Sequence, residues 1–428
     1  MKIAIVGTGV AGLSAAHRLA PLHLDGRLEL SLFEADRRTG GHANTVEVQS
    51  ERGTERIDTG FIVFNDRNYP EFSRMLGELG VESTPSSMSF SVSDGDFEFT
   101  GRNLRGLFAR RRHLADPGFM RMLMEVPKLQ RRLRDLARSG EEGPSLAAFV
   151  AAEGFSDQLN ERIVVPLVAS VWSADPARMD EFPVGFLARF LDNHGLLSLN
   201  DRPHWRTVKG GSRTYVDALT GPIAATIRTS TPVEWIARYG DSVMLKAGGG
   251  SPERFDRVIV ATHSDQALRM IAAPTGEEKS FLGAVPYQAN EAVLHTDESV
   301  MPVRRAAWAC WNYHLGHEAQ GRTALAYDMN RLQSLKCRQR FFVSLNVTRR
   351  IDRSKVLARF HYEHPVFTPE GVRAQARWSE ISGADRIHYA GAWLRNGFHE
   401  DGVVSGTRAA DQVLDLIEAA PQAAALAA

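Results

Sequence analysis

The chain has 428 residues, with 51 Lys and Arg balanced by 51 Asp and Glu, and two cysteines, Cys310 and Cys337. That length suits two domains sharing a core, and the balanced charge, with no helix-turn-helix or RNA-binding signature, argues against a nucleic-acid partner. Two cysteines exclude a disulfide scaffold or CxxC centre and suit a reducing cytoplasm; no signal peptide precedes the strand that opens at residue 2, and no apolar run approaches the roughly 20 residues of a membrane span. A cytoplasmic protein is therefore expected.

In chain order, "KIAIVGTGVAGLSAAHRLA" predicts a buried strand, a glycine turn and a helix. Gly7, Gly9 and Gly12 fit G-x-G-x-x-G: the first allows the tight turn, the second lets backbone approach a pyrophosphate, the third lets helix and strand pack closely. Val10 and Ala11 open the helix, whose free N–H groups and positive end face the anion. A second strand, "LELSLFEA", ends on Glu34 and Ala35, 22 residues beyond Gly12, where an acid can accept hydrogen bonds from ribose hydroxyls.

Behind the acid, "EADRRTGGHANTV" brings Arg38, the pair Gly40–Gly41, and His42. A nicotinamide enzyme has no use for a second glycine pair there, whereas FAD must be followed further along its length. These residues resemble the flavin-containing amine oxidase and phytoene desaturase superfamily, with its E-x3-R-x-G-G pattern. That family usually has Arg after the glycine pair; the His42 found here donates a hydrogen bond without fixed charge. The resemblance continues through "ERIDTGFIVFN", where Thr59, Gly60 and Phe61 follow Asp58 along the flavin, and "TVKGGSRTYV", where the chain re-enters the cofactor domain. "TSTPVEWIARYGDSVML" predicts a hairpin in which Val233 matches the position whose backbone, in the family it resembles, contacts adenine, and a buried strand at 257–261 ends on Ala261.

The terminal "RIHYAGAWLRNGFHEDGVVSGTRAADQVL" matches the family's last strand, loop and helix. Gly391, Ala392, Asp401 and Val404 are expected at the cofactor. Relatives often carry an acid at the position of Ala392 to contact ribitol, so either backbone serves here or Asp401 reaches in. Small residues 402–406 are expected to let helix N–H groups face the flavin. His399 and Glu400 are the catalytic candidates, as proton acceptors when a C–H bond breaks; the alternative is that they bind ribitol or cap the last helix. "NHG" (193–195) and "CWNYH" (310–314) add polar groups more often packed than catalytic. "HYEH" (361–364) has metal-like spacing but no companion motif, and no metal is expected. The tail "AAPQAAALAA" is expected to fray.

A narrower resemblance runs through "GGHANTV", "DTGFIVFNDRNYPEFSRMLGELGVE", "SMSFSVS" and "FPVGFLARFLDNHGLL". These strings are similar to bacterial amine-oxidase-like FAD oxidoreductases and to the flavoprotein region of plant cyclopropane fatty acid synthases. That implies a fatty-acyl or phospholipid substrate and a lipid methyltransferase as partner. Residues 102–138 hold eleven Lys or Arg against three acids, interleaved with Phe and Met. They could meet the inner membrane surface peripherally, wall an acyl tunnel, or simply form a helix pair packed on the core.

The expected fold class is α/β: a Rossmann-like FAD-binding domain of the amine oxidase type, discontinuous over 1–75, 205–265 and 383–428, with an inserted α+β substrate domain over 76–204 and 266–382. The expected activity is FAD-dependent oxidation of an acyl chain. An amine oxidase, a fatty-acyl isomerase and a non-catalytic partner of a lipid methyltransferase remain the alternatives.

Overall fold

Strand Lys2–Val6 is apolar from Ile3 onward because it is covered there on both faces. In the computed structural model, which describes residues 1–427 apart from 173–174, 176–178, 180, 194, 196, 198–202 and 317–320, it lies at the centre of a five-stranded parallel sheet. The order is Ile227–Arg228, Glu29–Phe33, Lys2–Val6, Arg257–Val260, Ile387–Tyr389. Ile3 and Ile5 join one core, with Leu13 and Leu19 of helix Val10–Leu24 and Val403 and Val413 of helix His399–Ala427. Ala4 and Val6 join another on the opposite face, with Phe33, Phe255, Phe281 and Trp393. Parallel sheets buried in this way read as continuous apolar runs. The expected hairpin is present: Val233–Tyr239 pairs antiparallel with Ser242–Ala247. The last helix runs on through most of the low-complexity tail, where fraying was expected.

A second sheet has seven strands in the order Val356–Pro365, Tyr287–His295, Phe342–Leu345, Leu325–Asp328, Trp311–His314, Phe90–Ser93, Glu98–Thr100. Its pairings are antiparallel save that of Trp311–His314 with Phe90–Ser93. The largest core joins this sheet to helices Pro117–Ser139, Leu146–Glu153, Val165–Trp172 and Val184–Asn193, through residues such as Val92, Phe99, Phe119, Met122, Leu187 and Leu294.

Helix Pro117–Ser139 starts and stops where local chemistry dictates. The Asp116 carboxylate accepts the Gly118 and Phe119 N–H groups at 2.9 and 3.1 Å, Pro117 occupies the first turn, and Gly140 ends it at φ +74°. Phe119, Met122, Leu129 and Leu133 form its buried stripe, spaced as one helical face, and helix Val184–Asn193 packs against it. The packed-helix reading of 102–138 thus accounts for Met122, whereas Met120 and Met124 stay exposed.

Candidate active site

The glycines of the first turn divide by what surrounds them. Gly7 has φ +95°, and a Cβ there would lie 2.9 Å from the Ala261 carbonyl oxygen. At Gly12 a Cβ would stand 1.9 Å from the Gly7 carbonyl oxygen, which accounts for close helix–strand packing. Gly9 differs. Its φ of −66° suits any residue, and a Cβ would meet nothing within 4 Å. The polypeptide does not need glycine there; a ligand lying against the helix N-terminus does.

The second glycine pair closes over the first. Gly40 (φ +108°) and Gly41 (φ +57°) carry the chain back, and a Cβ on Gly41 would come within 3.1 Å of the Gly9 Cα. Arg38 stitches this loop, donating to the Gly41 carbonyl at 2.8 Å and the Ala43 carbonyl at 3.2 Å, with Asp36 3.6 Å from its Nε. Arg38 therefore shapes the cleft through backbone. Glu34 stands at the tip of its strand with Ala35 exposed beside it. Its carboxylate accepts the Thr8 N–H at 2.9 Å, the Thr8 hydroxyl at 2.5 Å and the Asp36 N–H at 2.9 Å, which hold it beside the glycine turn. The Thr231 N–H donates to the Glu34 carbonyl, so Val233 starts its strand two residues beyond that bond.

Residues 42–45 and 58–61 run side by side. The Phe61 N–H donates to the His42 carbonyl at 2.9 Å, and a Cβ on Gly60 would lie 2.2 Å from that oxygen. Thr59 and Asn44 both hydrogen-bond the Tyr362 hydroxyl, at 2.8 and 3.0 Å. Asp58 is a junction: Oδ1 accepts from the Thr45 hydroxyl (2.6 Å) and from the N–H and hydroxyl of Ser212 (2.9 and 2.7 Å), and Oδ2 from the Gln333 amide (3.0 Å). Desolvation raises its pKa to about 6 against these donors.

Three histidines from distant segments gather at this seam. The His42 ring lies 4.9 Å from Tyr362, 5.5 Å from His364 and 6.1 Å from His263, and His263 stacks on Tyr287 at 4.4 Å. His42 and His364 are half-buried at the seam. Burial holds them neutral: it pushes His42 well below the ordinary imidazole range, with His364 and His263 adding repulsion, and lowers His364 to about 4. The Asn290 amide lies 3.0 Å from His364 Nδ1; with the amide as donor, the neutral ring carries its proton on Nε2. Tyr362, His364, His263 and Asn290 were not predicted. The available signal was Tyr362 and His364 standing two apart in "HYEH", which puts them on one face once 356–365 is a strand. Among the described residues no three or more His, Cys, Asp or Glu are arranged to hold a metal ion. His194 of "NHG" lies outside the described residues.

The C-terminal loop holds the remaining candidates. Both Glu400 oxygens are taken by N–H groups of helix Pro70–Glu78, from Glu71 at 3.0 Å and Phe72 at 2.9 Å, so Glu400 caps another helix, not its own. Asp401 accepts the Phe398 and Asn396 N–H groups at 2.9 and 3.2 Å, with Arg395 3.7 Å away; it braces its own loop instead of reaching for a ribitol. Desolvation raises it to about 6. The small residues 402 and 406 serve helix packing, because a Cβ on Gly402 would meet Val10 at 2.4 Å and one on Gly406 the Ala11 carbonyl oxygen at 2.0 Å. Val404 is half-buried on the same helix. The Gly391 N–H donates to Ser405 at 3.0 Å, and Ala392 begins a short 3-10 turn. His399 stacks face to face on Phe61 at 3.6 Å, and its Nε2 lies 2.6 Å from the Tyr215 hydroxyl. Desolvation lowers it to about 3. A ring so enclosed supports the Phe61 segment and is poorly placed to shuttle protons.

Two aromatic pairs meet beside this loop. Phe190 stacks on Phe398 at 5.2 Å and Phe186 on Phe367 at 6.0 Å, while a Cβ on Gly397 would touch the Phe367 ring at 3.1 Å. Phe398 borders both the largest core and the core beneath the parallel sheet. The apolar wall therefore spans the junction of the two sheets.

Two glycine loops that close on each other, an acid at the neighbouring strand tip and the adjoining Thr59–Phe61 segment fit an extended dinucleotide. Residues 7–12, Glu34 and 40–42 would hold its phosphates and ribose, and 59–61 its far end. The structure superposes on cyclohexylamine oxidase from Brevibacterium oxydans IH-35A with a TM-score of 0.70 at 15% identity, covering 97% of this chain and 99% of that one. It superposes on wild-type putrescine oxidase bound to putrescine at 0.67 and 13%, covering 97% and 99%. A CLA-producing fatty acid isomerase from P. acnes gives 0.64 and 13%, covering 95% and 97%. At these identities the likeness concerns fold alone. The family model for flavin containing amine oxidoreductases matches residues 10–305. The chain therefore belongs to the flavin-containing amine oxidoreductase family, and is an FAD-dependent oxidoreductase.

Proposed function

We propose that this enzyme desaturates a fatty-acyl chain: one carbon gives a hydride to the flavin when bound, its neighbour gives a proton to water, and a double bond forms between them. The observation that carries the reading is the stacked cluster of Phe186, Phe190, Phe367 and Phe398, an apolar region at the meeting of the two sheets, where ligand pockets are commonly found. Bound flavin supplies the hydride acceptor at such a site.

The protein's own contribution is to keep the site uncharged. His42 and His364 are held neutral there. The interior carboxylates are already engaged: Asp58 by Thr45, Ser212 and Gln333, Glu400 by two helix N–H groups, Asp401 by its own loop. None of these three is spare to pair with an ammonium group, which favours an acyl chain over an amine. The likeness in fold to a CLA-producing fatty acid isomerase supports this reading.

The test is anaerobic mixing of the flavin-loaded protein with a bacterial lipid extract and, separately, with a polyamine panel. Loss of flavin absorbance with lipid, and a two-hydrogen mass loss in an extracted chain, is the expected result. Bleaching by amines alone would assign an amine oxidase, unchanged product mass with rearranged double bonds an isomerase, and no bleaching by either a non-catalytic carrier.

A further inference from the structure

Tertiary packing enlarges the basic segment with residues nearly 200 positions away. The buried Glu98 carboxylate pairs with Arg110 at 3.2 Å and accepts the backbone N–H groups of Val303 and Arg304 at 2.5 and 3.3 Å. Gly106, in the short helix Leu104–Leu107, packs so closely that a Cβ would stand 3.0 Å from the Ala306 carbonyl oxygen. The 303–306 loop and the 104–114 stretch thus form one continuous surface. On it Leu104 is 74% exposed, Leu114 61% and Val303 72%, and Met124 on the adjoining helix is 71% exposed. Aliphatic side chains this bare in one region call for a partner.

The charges around them are only partly neutralised. Arg110, Arg112, Arg121, Lys128 and Arg132 have acidic partners. The exposed Arg105, Arg111, Arg131 and Arg304 have no carboxylate partner among the described residues. We infer that this composite face docks on an anionic phospholipid bilayer, the arginines meeting headgroup phosphates while Leu104, Leu114, Val303 and Met124 enter the acyl boundary. Nucleic acid shares the phosphate chemistry but offers nothing to bare aliphatics, whereas a lipid surface satisfies both. Among the described residues no helix is long and apolar enough to cross a membrane, so the contact is peripheral. Helix Pro117–Ser139 also packs on the helix that carries Phe186 and Phe190, which places the docking face behind the aromatic wall. The inference stands on surface residues alone and does not depend on the acyl reading.

The experiment is sedimentation of the flavin-loaded protein with vesicles of phosphatidylcholine, with and without one quarter phosphatidylglycerol. Wild type should pellet with the anionic vesicles and release in high salt. Arg111→Glu/Arg304→Glu should partition about thirty-fold more weakly or worse, since each basic residue near the surface contributes about one factor of five. Leu104→Ser/Val303→Ser should also weaken binding, and both variants should keep their flavin spectrum. Equal pelleting of wild type and variants, no preference for anionic vesicles, or retention on nucleic acid without vesicle binding would overturn the inference.

Discussion

Glu400 is the residue at which a structural and a catalytic role make opposite predictions. Helix Pro70–Glu78 has only two unpaired N–H groups in its first turn: Pro70 has none, and Ser73 already donates to the Tyr69 carbonyl. Those two, on Glu71 and Phe72, are the ones that Glu400 takes, and Tyr69 at the N-cap offers no side-chain acceptor. Losing a cap costs about 1–2 kcal/mol, and losing a partly buried charge at a helix N-terminus up to about 1–2 more. Glu400→Ala should therefore destabilise by about 2–3 kcal/mol. Glu400→Gln, which keeps one carbonyl acceptor, should lose about 1 kcal/mol. At about 2.1 cal/mol/K of unfolding entropy per residue, 428 residues correspond to about 0.9 kcal/mol/K, so the melting temperature should fall by about 2–3 °C and about 1 °C respectively. Phe72 packs edge-on at 5.3 Å from Tyr215 and 5.4 Å from His399, so slack in this helix reaches the Phe61 support. The assay is thermal release of flavin fluorescence alongside far-ultraviolet circular dichroism, with the rate of anaerobic flavin bleaching measured on the same samples. A general base is worth about 10²–10⁴ in rate. A Gln variant that melts like wild type but bleaches a hundred-fold more slowly would refute the capping role and return Glu400 to the chemistry.

Gly9→Leu should fold with wild-type stability and emerge colourless, because its Cβ meets no protein atom yet enters the cleft; retained flavin would contradict the cofactor assignment. Gly12→Ala should instead fail to fold or lose several kcal/mol, since the Gly7 carbonyl oxygen fills the space at 1.9 Å, a difference that soluble yield and circular dichroism will read. Acid should destabilise the protein. Burial lowers His399 to about 3 and His295, His364 and His388 to about 4, so the unfolded chain takes up protons from about pH 6.5 downward that the folded one refuses. Asp58 and Asp401, raised to about 6, act in the opposite sense below that pH. Four imidazoles outweigh two carboxyls, and the net loss between pH 7 and pH 5 should be several kcal/mol, on the order of 1.4 per unit for each group. His399→Gln, which can still bond Tyr215, should recover about 2 kcal/mol of it. A melting temperature that holds or rises on acidification would refute this.

The amino-acid order alone determined the parallel sheet's first strands, the glycine turns and the cofactor, because each depends on a few neighbouring residues. A positive φ at Gly7 or Gly40, or an apolar run covered on both faces, is a short-range requirement written where it acts. Which side chain answers which backbone group is not short-range. Glu400 meets Phe72 across 328 positions and Asp58 meets Gln333 across 275, and nothing near either acid announces its partner. So it took the tertiary structure to show that Glu400 braces a neighbouring helix and Asp401 its own loop. The histidines of the seam, from residues 42, 263 and 364, came together only when the edge strand of the second sheet was laid against the cofactor loop. Local conformational preference could locate the dinucleotide cleft; burial and long-range hydrogen bonding decided what surrounds it.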